Sequence, residues 1–107
     1  MNCISIVTSK GTSRLFLENI IRIQSKSNYS KIYFADKSYP LTVAKVLHWF
    51  EDNLPAEMFI RTHRTHLVNK QHIQNVALSS HTMELSNGEH ISISKRRKQW
   101  VSQRLCA

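Results

Sequence analysis

Residues 58–69, MFIRTHRTHLVN, place Arg61, His63, Arg64 and His66 within six positions, between apolar residues on either side. A guanidinium is a permanently charged, planar fork of N–H donors, and an imidazole adds a donor or an acceptor according to its tautomer. Phe59 and Ile60 before the cluster, and Leu67 and Val68 after it, are expected to anchor both ends in a core. Cationic groups mounted between buried flanks suit recognition of a polyanion. A second basic run, Lys95, Arg96, Arg97 and Lys98, points the same way.

Other chemistries are weaker fits. His63 and His66, with His72 and His81, raise the question of zinc, but zinc sites recruit cysteines or carboxylates at recognisable spacings. No such partner accompanies these histidines, the nearby arginines repel a cation, and positions i and i+3 of one strand point to opposite faces. A hydrogen-bonding role is expected, with no metal and no cofactor. Nor do the serines form a catalytic set, since they fall in turn-like segments without a glycine-rich elbow or a paired acid. An enzyme is not expected.

Ser25, Lys26, Ser27, Asn28 and Tyr29 make a polar stretch between two strand-like runs, with Lys31 just beyond. It reads equally as a solvated hairpin connection or as a contact loop. In the second case Asn28 and Tyr29 hydrogen-bond base edges or phosphates while Lys26 and Lys31 neutralise charge. Of the two clustered arginines, Arg61 directly follows the apolar pair and is expected to pair with Glu57 or another internal carboxylate. Arg64 is the freer one.

The elements that must carry these groups are mostly strands. Apolar alternation marks residues 3–7, 14–17 and 20–23, with a turn over 10–13. Residues 31–35 and 38–41 flank Asp36 and Lys37 as a hairpin, which sets Phe34 opposite Tyr39 and Ile32 opposite Leu41. Pro40 cannot donate to a ladder and favours an edge. Thr42 is the expected N-cap of a helix whose stripe is Val43, Val46, Leu47, Phe50 and Leu54, and Pro55 ends it. That helix carries Glu51 and Asp52, so its outer face is not cationic.

Residues 70–73 read as a helical turn and 74–78 as a strand. The runs 82–85 and 90–93 read as a hairpin. A two-residue turn there would put its apolar faces out of step, so a three-residue loop, Ser86, Asn87 and Gly88 with Gly88 left-handed, is predicted to pair Met83 with Ile91. Ser94 is the expected N-cap of a final helix reaching about Leu105, with Trp100, Val101 and Leu105 inward. Cations in a first helical turn oppose the macrodipole, at about 0.3–1 kcal/mol each. They make sense if a phosphate binds where orphan N–H groups and basic side chains converge.

The totals agree with a binding module. With 107 residues the chain is expected to form one domain, residues 1–107, around a single core. Fifteen Lys and Arg against seven Asp and Glu give a net charge of +8, a balance that favours nucleic acid or an anionic membrane surface. No signal-peptide pattern or membrane-length apolar run is present, so a cytoplasmic protein is expected. Cys3 and Cys106 lie at the two ends; they are expected to be free thiols, a bridge requiring the termini to meet. There is no helix-turn-helix, zinc finger or RNP-type aromatic strand. If duplex DNA is read, the reading groups sit on loops 25–31, 61–66 and 94–98 of a β scaffold.

Taken in order, Phe59, Arg61, His63, Arg64, Thr65, Leu67, Val68 and Asn69, then Ile73 and Val76, then Asn87 and Gly88, then residues 93–97, resemble the LytTR DNA-binding domain. The upstream 23–34 segment with Asn28 and Tyr29 resembles it too, so the likeness covers about residues 4–105. It implies a mainly β fold with two helices, in an elongated arrangement of small antiparallel sheets. It implies loops inserted into successive major grooves of duplex DNA, in the output module of a bacterial two-component response regulator. Matched residue by residue, it makes Arg64, Arg96, Asn28 and Tyr29 base-reading. Lys26, Lys31, Lys95, Arg97 and Lys98 would meet phosphates, and Arg61, His63 and His66 would shape the loop or meet DNA. It also implies paired DNA repeats as target, a monomer in isolation with dimerisation on DNA, and a receiver domain in a full-length protein. Two alternatives from the residues alone are a binder of RNA or single strands, for which Tyr29 is the stacking candidate, and a basic module that docks an acidic protein.

Overall fold

The segments around the basic cluster are apolar at adjacent rather than alternate positions, and the fold follows from that. Phe59 and Leu67 enter one core cluster while their neighbours Ile60 and Val68 enter another. A strand does this only when both faces of its sheet are covered. The computed structural model, which describes residues 2–105, shows that arrangement. A central antiparallel sheet runs in the order β5 (Leu41–Val43), β4 (Tyr29–Phe34), β3 (Ile20–Lys26), β7 (His66–Asn69), β6 (Phe59–His63). On one face lie helix α1 (Leu47–Asn53) and the hairpin of β1 (Cys3–Thr8) with β2 (Gly11–Phe16). On the other lie helix α2 (Lys98–Leu105) and a three-stranded sheet of β8 (Ile73–Ala77), β9 (Thr82–Leu85) and β10 (His90–Ser92). The molecule is elongated, 43 × 25 × 24 Å.

The expectation of a single core is therefore corrected to two clusters back to back on one sheet. Strand β3 serves both. A bulge between Ile20 and Arg22 breaks the alternation, so that Ile20 and Ile23 face the first cluster and Ile21 the second.

Several local expectations hold. Leu85 donates its N–H to the Glu89 carbonyl, Gly88 has φ +86°, and Met83 stands opposite Ile91, as the three-residue loop requires. A 3₁₀ turn occupies Lys70–His72. Others fail. Thr42 and Val43 belong to β5, and α1 starts only at Leu47 with Val46 as its cap; Val43 imitates a helical stripe because it lies four residues before Leu47. In the 31–41 hairpin, Ile32 does pair with Leu41, but residues 35–40 form a loop and Tyr39 is exposed. The ladder resumes only past Pro40, which has no N–H to offer. Trp100 is 38% exposed, not inward, and Arg104 lies over its ring at 5.3 Å; Val101 is the fully buried residue of α2. Cys106 lies outside the described residues, and so does the question of its pairing with Cys3.

One polar lock joins the sheets. Arg22, 6% exposed, donates through Nε and Nη2 to the two carboxylate oxygens of Glu89, each at 3.0 Å. Its Nη1 donates to Gln24 at 2.8 Å, and its guanidinium stacks 3.8 Å from the Tyr33 ring centre. Glu89→Gln should therefore strand a buried charge. Because Glu89 is itself 38% exposed, water offsets part of the loss, and a cost of about 2 kcal/mol is expected. Arg22→Met with Glu89→Gln should recover most of it in urea unfolding. Simple additivity of the two single losses would show that the residues act apart.

Candidate nucleic-acid interface

The basic cluster forms a hairpin end. Strands β6 and β7 pair His63 with His66 across the turn Arg64–Thr65, with a bulge at Thr62. Arg61 braces this turn from beneath. Its Nε donates to the His63 carbonyl at 3.0 Å, and its Nη2 to the Arg64 carbonyl. Its Nη1 donates to the Glu51 carboxylate on α1. The expected internal partner of Arg61 is thus Glu51, not Glu57.

The histidines brace the turn from the side. Nδ1 of His63 accepts the Thr65 N–H at 3.2 Å, which leaves its Nε2 as the protonated nitrogen of the neutral ring. The Thr65 hydroxyl lies 2.9 Å from Nδ1 of both His63 and His66. The two rings are cross-strand neighbours, with centroids 5.9 Å apart. The expectation that they point to opposite faces fails because a tight turn, not one strand, separates them. Among the described residues, no three His, Cys, Asp or Glu are grouped to hold a metal.

A second element meets this turn. Ser94 donates its N–H to the Thr62 carbonyl at 2.9 Å, and its hydroxyl accepts the Arg96 N–H at 3.2 Å, capping a 3₁₀ turn over Lys95–Arg97 that leads into α2. A cleft of about 330 Å³ results, lined by His63, Arg64, Ser94, Arg96 and Arg97. Arg64 and Arg96, far apart in sequence, share one opening. Lys95 is exposed and Lys98 half-buried beside it.

The Asn28 stretch lies at the same end of the sheet. Strands β3 and β4 pair Lys26 with Tyr29, so the loop shrinks to Ser27 and Asn28, with Ser27 at φ +58°. Ser25 donates its N–H to the Thr65 carbonyl at 2.9 Å, which ties this turn to the neighbouring one. Asn28, Lys26 and Tyr29 are exposed, and Lys31 is half-buried. Asn28 does not line the arginine cleft.

Among the described residues, the salt bridges use Arg22, His48 and Arg61, and none involves Lys26, Lys31, Arg64, Lys95, Arg96, Arg97 or Lys98. Sequence reasoning missed Thr65, whose hydroxyl links the two histidines; a hydroxyl residue between two imidazoles was its only signal. It also missed Arg22, which a β-strand pattern reads as solvent-facing, and Thr62, whose buried hydroxyl has no partner.

Burial, reinforced by Arg22 and His63, lowers the His66 pKa to about 4, so the ring is neutral at neutral pH. Hydrogen bonding from Arg22 likewise holds the Glu89 carboxyl below its usual range. Between about pH 6.5 and 4 the unfolded chain takes up a proton at His66 that the folded chain refuses, so stability is lost as the pH is lowered across that window. The Glu89 contribution is lost at lower pH, as the folded carboxyl protonates. Urea unfolding against pH should show a decline beginning near pH 6.5, and His66→Gln should flatten that upper limb. An unchanged limb in the variant would assign it to other groups.

Residues 10–105 match the family model described as the LytTr DNA-binding domain. Among solved structures, the chain is similar to the LytTr DNA-binding domain of a protein described as a methyl-accepting/DNA response regulator from Bacillus cereus. The TM-score is 0.83 at 22% identity, over 98% of this chain and 97% of that one. No curated protein matches the chain. With the family model spanning most of its length, the chain belongs to the LytTr family, a family of DNA-binding domains and not of enzymes.

Proposed function

We propose that this domain binds double-stranded DNA sequence-specifically, through turns inserted into the major groove, as the output module of a cytoplasmic two-component response regulator. The observation that carries the reading is the cleft in which Arg64 and Arg96 converge with no salt bridge to an acid among the described residues. Guanidinium forks match the O6 and N7 acceptors of guanine, and each bidentate contact discriminates by ~1–3 kcal/mol. In this reading Arg64 and Arg96 read base edges, and Asn28 and Tyr29 read from the adjacent turn. Lys26, Lys31, Lys95, Arg97 and Lys98 neutralise phosphates. Arg61 and His66 are occupied within the fold and act by holding the turn in shape; His63 shapes the turn and also lines the cleft. Paired repeats as target, a monomer that dimerises on DNA, and a receiver domain as regulatory partner complete the proposal.

Selection from a random duplex pool supplies the cognate sequence. Arg64→Ala should then reduce binding to that duplex while leaving random duplexes nearly unaffected. Lys98→Ala should weaken all duplexes alike and reduce the slope of log K against log salt by about one unit. Equal losses on cognate and random duplexes in both variants would refute base reading by Arg64. In competition at physiological salt, single strands outcompeting duplex would transfer the function to single-strand stacking on Tyr29.

A further inference from the structure

The reading end carries a second cleft, on the far side of the Asn28 turn from the two arginines. About 280 Å³ in volume, it lies between the β1–β2 tip and the start of β4, lined by Val7, Thr8, Ser9, Tyr29, Thr42 and Ala44 among others. Val7 is 77% exposed and Tyr29 53%, apolar surface that neither core covers. Lys10 and Lys45 directly follow the lining residues Ser9 and Ala44 in sequence. Lys10 sits at a hairpin tip that is held rigidly: the Thr8 hydroxyl donates to the Gly11 carbonyl at 3.0 Å and accepts the Lys10 N–H at 3.2 Å, with Gly11 at φ +116°. Lys45 follows β5. Its carbonyl accepts the buried Ser30 hydroxyl at 2.6 Å, and its ammonium lies 4.9 Å from the Trp49 ring centre. Neither lysine has a carboxylate partner among the described residues.

The sheet order places the end of β5, the Asn28 turn and the Arg64 turn in a row along one edge of the molecule. At ~4.8 Å per strand that row is roughly 19 Å long, enough to cross a major groove of about 12 Å and reach the strand bounding it. A sugar–phosphate strand alternates apolar sugar edges with anions, and here the apolar Val7 and Tyr29 line a cleft whose residues Ser9 and Ala44 are each followed by a lysine. We infer that the cleft is a second seat for the duplex, gripping one sugar–phosphate strand with phosphates on Lys10 and Lys45 and sugar edges on Val7. The inference rests on the proposed duplex binding and adds a grip that carries no sequence information.

The test is Lys10→Gln with Lys45→Gln, on the duplex selected by the wild-type domain. At about 0.9 per phosphate, the slope of log K against log salt should shrink by roughly two units. Binding to cognate and random duplexes should fall alike, the sequence preference should persist, and the hydroxyl-radical footprint should retract at one flank. Lys37→Gln, beside Phe34 at the opposite end of β4, should leave slope and footprint unchanged. Lys45→Arg, which keeps the charge, should keep the wild-type slope, and Lys10→Gln alone, which leaves Lys45 on Trp49 untouched, should lose about one unit of it. Wild-type slope and footprint in the double variant would overturn the second seat while leaving duplex binding intact. Absence of duplex binding by the wild-type domain would overturn both.

Discussion

Everything at the basic end hangs on burial of the central sheet from both sides. Phe59 and Ile60 on β6, and Leu67 and Val68 on β7, are each 5% exposed or less. A one-residue slip of either strand would exchange the two faces and put every one of these side chains into the wrong cluster. Register is therefore determined twice over, and the turn joining the strands inherits that precision. Arg64 is the exposed residue of the hairpin turn, between strands whose flanks the two cores bury.

That placement explains why so much polar chemistry is spent on so short a turn. Arg61 bridges the carbonyls of His63 and Arg64 to a carboxylate on another element, and Thr65 links two imidazoles. These contacts leave the turn with few alternative conformations, so little entropy remains to be lost when a ligand arrives. The neutral state of His66 belongs to the same design, because a second buried charge beside Arg22 would compete with Arg22 for Glu89. The start of α2 shows the opposite balance. Lys95, Arg96 and Arg97 oppose the helix dipole there and gain nothing from internal partners. A feature that costs stability and is left unneutralised is what the proposed contact with an anion accounts for.

Much of this is legible in the chain, and what is not has identifiable causes. Adjacent apolar pairs flank the cluster and mark buried strands, and Asn87 with Gly88 specifies a loop whose length the apolar pattern then decides. Ser94 before four cations marks a capped helix start. The misplaced α1 start arises because Val43 satisfies helical and strand spacing at once, and only its pairing with Ser30 resolves the two. Arg22 was illegible because its partner Glu89 lies in a different sheet, and no local pattern connects them. His63 and His66 were misjudged for a related reason: spacing along a chain carries no information about direction until the turn between them is known. At the candidate site the basic residues were visible in sequence, but their convergence was not, since Arg64 and Arg96 meet across elements joined by the Ser94 to Thr62 hydrogen bond.

A β scaffold that binds through turns faces a problem that a recognition helix does not. A helix presents side chains from one rigid rod, whereas turns must be brought into a common frame from separate hairpins. Here the frame is the sheet edge itself. The Ser25 N–H bonded to the Thr65 carbonyl couples the two hairpin turns, and the Ser94 N–H bonded to the Thr62 carbonyl couples the helix start to the same strand. Both couplings run through backbone groups, so they constrain position without constraining which side chains the turns carry. Such a frame can keep its geometry while Asn28, Arg64 and Arg96 vary, which would separate the determinants of folding from the proposed determinants of specificity within a single small domain.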